Sequence, residues 1–173
     1  MTTLGCDQSI NATGLCVVTD GKPVAYMTIT TSPGEFDGDR MMWIAQQVVL
    51  QVRAHNADLV VLEEPYIPKW LRGRELNRKA QEALVLRELG GRIEVEARLA
   101  GAEVKWLEPS TGFAALTGRG KGDKLVHVNM ANALLRTYGL ATLKDSEHHI
   151  ADALGLALAG ERRATAGVEE VPA

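Results

Sequence analysis

The chain has little cysteine and no long apolar run, and its net charge is not positive. Cys6 and Cys16 are its only two cysteines and form no CxxC pair. That excludes a disulfide framework and a cysteine-built zinc site and leaves both as small core residues. No apolar stretch approaches the roughly 20 residues that span a bilayer, so no membrane partner is expected. The opening MTTLGCDQS has neither the charged nor the apolar part of a signal peptide, which predicts a protein that stays in the cytoplasm. A formal net charge of −3 does not advertise a nucleic-acid binder, though local distribution matters more than the sum. There is no internal repeat and no sign of a second domain.

What is present is an ordinary domain: 173 residues, 46% hydrophobic and 24% charged, enough to bury a sizeable core. Residues 3–7, 13–19 and 23–30 read as short strands, with Asp20-Gly21 as a hairpin turn. A helix is predicted from Asp39 to Asn56, and ADLVVLEE is a buried strand. A long helical pattern runs from about 75 to 100. Gly90 and Gly91 interrupt it, which predicts close packing or a break. AEVKWLEP is a further strand. STGFAALTG is a short helix capped by Ser110 or Thr111. DKLVHVNMANALLRTYG is a helix ending at Gly139. The last helix, DSEHHIADALGLALAGERRA, is expected to be amphipathic and capped by Asp145 or Ser146. The order predicts an α/β domain: an antiparallel meander extended by βαβ crossovers into a mixed five-stranded sheet flanked by helices. Ligands of such sheets are expected beside the carboxyl ends of the central strands.

Two carboxylates stand there. Asp7 ends the first strand and Glu63 the buried strand LVVLE, and neighbouring strands would bring them side by side. Carboxylates that close repel unless one is protonated or a cation lies between them. The last helix adds HHIAD, in which His149 and Asp152 are three apart and His148 and Asp152 four, so either pair shares a face. Oxygen and imidazole donors from three segments suit a hard divalent metal, Mg²⁺ or Mn²⁺. Basic residues cluster in KWLRGRELNRK, with Lys69, Arg72, Arg74, Arg78 and Lys79, and in RGKGDK, with Arg119, Lys121 and Lys124.

GCDQSINATGLCVV, VVLEEPYI and HHIADALGLAL, at these spacings, resemble the RuvC family of Holliday-junction resolvases, within the ribonuclease H-like nucleases. The resemblance spans about residues 3–160 and implies a nuclease domain over 1–163 followed by a disordered tail, 164–173. It implies Asp7, Glu63, His149 and Asp152 as ligands of two divalent ions with Asp7 bridging them, and Lys124 beside the scissile phosphate. Tyr66 matches an aromatic inserted at the junction centre. The resemblance implies phosphate binding by Lys124 with Arg119 and Lys121 alongside. Lys69, Arg72 and Arg74, in a loop more basic than the family's, are expected to bind DNA as well. The implied activity is paired, symmetric nicking of four-way DNA junctions by a homodimer, leaving 5′-phosphate and 3′-hydroxyl ends. Flaps, forks, structured RNA, or junction binding without cleavage are the alternatives. Gln8 and Ser9 stand where the cellular enzymes carry proline and glycine, as in a divergent, phage-borne member. His149 would ligate as the neutral ring, so activity should fall at about pH 6–6.5.

Overall fold

The computed structural model describes residues 1–120 and 122–166. Its strands are β1 (Thr2–Asp7), β2 (Ala12–Thr19), β3 (Lys22–Thr30), β4 (Leu59–Glu63) and β5 (Glu103–Leu107). Its helices are α1 (Asp37–His55), α2 (Gly73–Leu99), α3 (Pro109–Thr117), α4 (Lys124–Thr137) and α5 (His148–Ala166). The sheet order is β3-β2-β1-β4-β5, antiparallel across β1–β2–β3 and parallel across β1–β4–β5, which is the mixed sheet expected. The β2–β3 hairpin turns through Asp20 and Gly21 at φ 49° and 75°, the left-handed pair that a two-residue turn demands.

Strand alternation divides the core. Leu4 and Cys6 of β1, Leu15 and Val17 of β2 and Val60 and Leu62 of β4 face α1 and α2, packing with Ile44, Val48, Leu89 and Ile93. On the other face, Cys16 and Val18 pack with Ala153, Leu154 and Ala157 of α5. Leu59 and Val61 pack there with Leu156 and Ala159. Both cysteines are buried and free, and burial pushes the Cys16 thiol up to about 12, so it stays neutral among apolar neighbours.

The last helix departs from expectation. α5 is buried on all sides from Ala153 to Glu161, because α3 and α4 cover the side that an amphipathic helix would turn to water. It lies directly on the sheet: a Cβ on Gly5 would stand 1.9 Å from the Ala153 carbonyl oxygen, and one on Gly14 2.3 Å from that of His149. Only glycine permits that approach. The expected caps are also corrected. Asp145 and Ser146 sit in a turn closed by Glu147 N–H donating to the Lys144 carbonyl (2.9 Å), and the helix starts at His148. Ser110 and Thr111 lie inside α3, whose first residue is Pro109, with its fixed φ and its missing N–H suited to that position. α2 runs unbroken through Gly90 and Gly91, Gly90 making room for the Trp106 ring. α5 continues to Ala166, three residues past the expected domain end, while the rest of the expected tail lies outside the described residues. No described helix is long and apolar enough to cross a membrane.

Candidate active site

The β1–β4 pairing places Cys6 against Leu62, so Asp7 and Glu63 follow as neighbours at the carboxyl ends of two parallel central strands. Alternation decides where they point. Asp7 shares the parity of Gly5, and Glu63 that of Leu59 and Val61, so both fall on the face covered by α5. There they meet Asp152, near the start of that helix. Burial, then the charges of Glu63 and Asp152, hold the Asp7 carboxyl well above the usual range, with Lys124 acting in the opposite direction. Glu63 is pushed up to about 7, first by burial and then by Asp152, again with Lys124 opposing. Asp7, Glu63, Asp152 and Lys124 thus form one electrostatic cluster, drawn from β1, β4, α5 and the start of α4.

Glu64, next to Glu63, has the opposite parity and a different environment. Its N–H continues the ladder to the Leu107 carbonyl (2.8 Å), and its carboxylate pairs with Arg87 of α2 (2.8 Å). The Arg87 guanidinium in turn lies 4.3 Å from the centre of the Trp106 ring. The two adjacent glutamates therefore serve opposite faces of the sheet.

His149 is turned toward β3, where its Nε2 and the Thr28 hydroxyl share a 2.8 Å hydrogen bond. Thr28 pairs with Gly14, and Gly14 with Asp7, so His149 stands over the same row of the sheet as Asp7, directed two strands away. Burial, then the charge of His148, lowers its pKa below the ordinary 6.5.

The connection after Asp7 is pinned by Gln8, Arg40 and Thr13. The Gln8 carboxamide behaves as one more residue of the β1–β4 ladder: its Oε1 accepts from Glu63 N–H (3.0 Å) and its Nε2 donates to the Glu63 carbonyl. Gln8 stood out in the sequence only as a departure from a proline. Buried Arg40 of α1 donates to the Ile10 carbonyl (3.0 Å), Asn11 Oδ1 (2.6 Å) and the Thr31 hydroxyl (2.9 Å), and pairs with Asp37 (2.9 Å). The Thr13 hydroxyl donates to the Ser9 carbonyl (2.6 Å) and accepts from Ser9 N–H (3.1 Å), closing the β1–β2 turn. Another buried group in contact with the cluster is His127 of α4, whose Nδ1 lies 2.7 Å from Asp152 Oδ1. A histidine inside an apolar helical pattern was its only sequence signal.

The basic and aromatic residues lie on loops and helix starts at this same end, Arg74 in the first turn of α2 and Lys124 at the start of α4. Tyr66, Lys69 and Arg74 follow β4 and are exposed. Trp70, an aromatic set among cations that sequence reading passed over, is 73% exposed. Arg72 instead folds back, donating to the carbonyls of Lys69 and Leu71 (both 2.7 Å), which fits it to hold the loop. Arg119 is exposed in the loop between α3 and α4, where Lys121 lies outside the described residues. Lys124 opens α4 behind the Asp123 cap, whose carboxylate accepts from Leu125 N–H (2.9 Å).

The donor set suits a hard divalent cation: three carboxylates, two of them raised by mutual repulsion and burial, gain when a cation stands between them. Among the described residues no three His, Cys, Asp or Glu side chains close around a single ion-sized space. Mg²⁺ is usually held by one or two carboxylates, with water and substrate phosphate completing its shell, so the open arrangement fits that ion.

A five-stranded mixed sheet with acidic residues at the ends of its central parallel strands, beneath a buried helix carrying a third, defines a ribonuclease H-like fold and site. Within that class the chain is similar to RuvC proteins over nearly its whole length. It is 27% identical over 163 residues to the crossover junction endodeoxyribonuclease RuvC of Mycolicibacterium vanbaalenii, covering 91% of this chain and 77% of that one. Thermus thermophilus RuvC superposes with a TM-score of 0.71 at 29% identity, over 96% of this chain and 97% of the other. The same enzyme in complex with a Holliday junction substrate gives 0.73 at 28% identity, over 96% of each chain. No family model matches the sequence.

Proposed function

We propose that the chain is an endonuclease that resolves four-way DNA junctions, with Asp7, Glu63 and Asp152 holding Mg²⁺, or Mn²⁺ in its place, at two positions. The observation that carries this reading is the convergence of those carboxylates with Lys124 at the carboxyl ends of β1 and β4. The bound ions would supply Lewis-acid polarisation of the phosphate and a lowered pKa for water at neutral pH. Asp7 and Glu63 bring negative charge that a bound cation relieves, and Asp152 orients from the helix. Lys124 holds the scissile phosphate by charge. His149 joins as a ligand on rotating its ring away from Thr28, a role its lowered pKa favours because the neutral ring is the ligating form.

Tyr66 stacks on bases at the junction centre, and Lys69, Arg74, Arg119, Lys121 and Lys124 neutralise phosphates around it. Arg72 supports this surface from within the loop. Symmetric nicking requires two such sites related by a two-fold axis, hence a homodimer. Its interface is the outer face of α1 and α2, where exposed Met42 and Val95 line a cleft reaching Gly91 and the same helices expose Trp43 and Leu99. The described fold, through Ala166, forms the nuclease domain.

The test is a labelled four-way junction, a duplex of the same sequence and a flap, each run with Mg²⁺ and with Ca²⁺. Symmetric nicks in the junction with Mg²⁺, and binding alone with Ca²⁺, are expected. Equal cutting of all three would remove the junction preference, and binding without cutting in either metal would remove the nuclease.

A further inference from the structure

One buried polar group near the site has no part in the reading above. His127, on the first turn of α4, is 2% exposed. The Phe113 ring of α3 lies 4.5 Å away, centre to centre, and Val128, next in the chain, is buried in the core cluster shared by α3, α4 and α5. Nδ1 sits 2.7 Å from Asp152 Oδ1, and Nε2 is buried with no hydrogen-bond partner among the described residues. An unpaired polar atom in such a place is costly, and a leucine or valine would fill the space without that cost. Among the described residues the one polar contact of the ring is with Asp152, three helices meet around it, and Lys124 lies one turn earlier on the same side of α4.

We infer that His127 is a positioning residue for Asp152, and through it for the divalent ion. The inference rests on Asp152 being a ligand. An ionised carboxylate only accepts hydrogen bonds, so the proton facing it is on Nδ1 and, in the neutral ring, Nε2 carries the lone pair. The Nδ1–H bond fixes the Asp152 carboxylate by Oδ1 and leaves Oδ2 free to ligate from one rotamer. Partners of this kind orient a ligand and tune its basicity, and losing one weakens metal binding by about 10–100-fold. A helix-to-helix staple with no bearing on the site is the competing explanation.

The two are separated by titrating Mn²⁺ into the DNA-free protein by calorimetry, alongside thermal unfolding in EDTA. His127→Leu fills the cavity without a donor. His127→Asn restores an N–H near the position of Nδ1. The expected result is that His127→Leu unfolds near the parent temperature yet binds Mn²⁺ about 10–100-fold more weakly, with His127→Asn recovering most of the loss. Parent-like Mn²⁺ affinity in His127→Leu overturns the inference. Asp7→Asn is the control for the site itself. If it keeps Mn²⁺ affinity, the metal-site reading falls and takes the inference with it; if it loses the ion while His127→Leu keeps it, only the role of His127 falls. A long-range ¹H–¹⁵N spectrum of the parent protein gives an independent check. A protonated Nδ1 that loses its shifted signal in Asp152→Ala is expected, whereas a ring protonated at Nε2 alone overturns the inference whatever the variants do.

Discussion

The carboxylate end of the sheet and the loops around it are built in opposite ways. Asp7, Glu63 and Asp152 project from two central strands and a helix buried on every side, and the groups behind them are pinned by Gln8, Arg40 and His127. Tyr66, Lys69, Trp70 and Arg119 stand on the surrounding loops and are exposed. Reaction geometry tolerates little displacement, whereas a branched polymer of variable shape is met by side chains free to adjust. On the proposed reading, chemistry is fixed by the core, and recognition is carried by exposed loop residues.

The comparison can be broken at several points. The largest effect is expected from Asp7→Asn, Glu63→Gln or Asp152→Asn. Each should lower single-turnover nicking by at least about 10³-fold, since groups acting as a unit fail together, while junction binding in Ca²⁺ persists. Loss of binding together with nicking would show that the carboxylates support the DNA surface as well. Next comes Gly5→Val, which drives a side chain into the Ala153 carbonyl. It should destabilise the fold by about 3 kcal/mol or more, read from denaturant midpoints. Unchanged stability would mean that α5 sits higher on the sheet than described.

Tyr66→Ala tests the loop side. Stacking contributes about 1–3 kcal/mol, so junction affinity or nicking should fall about 10–100-fold with the melting temperature unmoved. A matching drop in stability would erase the contrast between the two regions.

The smallest effect concerns pH in metal-free protein. Asp7 and Glu63 have pKa values raised in the folded state, Glu63 to about 7 from 4.5. Their contribution to stability is full below the unfolded pKa and is lost as pH rises through the folded one. In EDTA the melting temperature should therefore decline by a few degrees between pH 5 and 8. Mg²⁺ should raise it more at pH 8 than at pH 5, because deprotonated carboxylates bind the cation. A metal-free melting temperature that climbs over that range would show that other groups outweigh this pair.

The strand periods, the Asp20-Gly21 turn and the buried run before Glu63 determined the sheet and set Asp7 beside Glu63, because alternation and turn chemistry are local properties of the chain. The same alternation separates Glu63 from Glu64. What the sequence could not determine is whatever depends on a partner far along the chain. The glycines in α2 pointed to packing or a break, and only the Trp106 ring decided for packing. The pattern of α5 read as amphipathic because covering by α3 and α4 leaves no trace in its own spacing. His149 matched a ligand position by spacing, yet its ring hydrogen-bonds Thr28, set by the rotation of the helix over Gly14. Gln8 and His127 were nearly silent as letters. Their meaning comes from a backbone 55 positions away and a carboxylate on another helix, contacts that exist only once the chain has closed on itself.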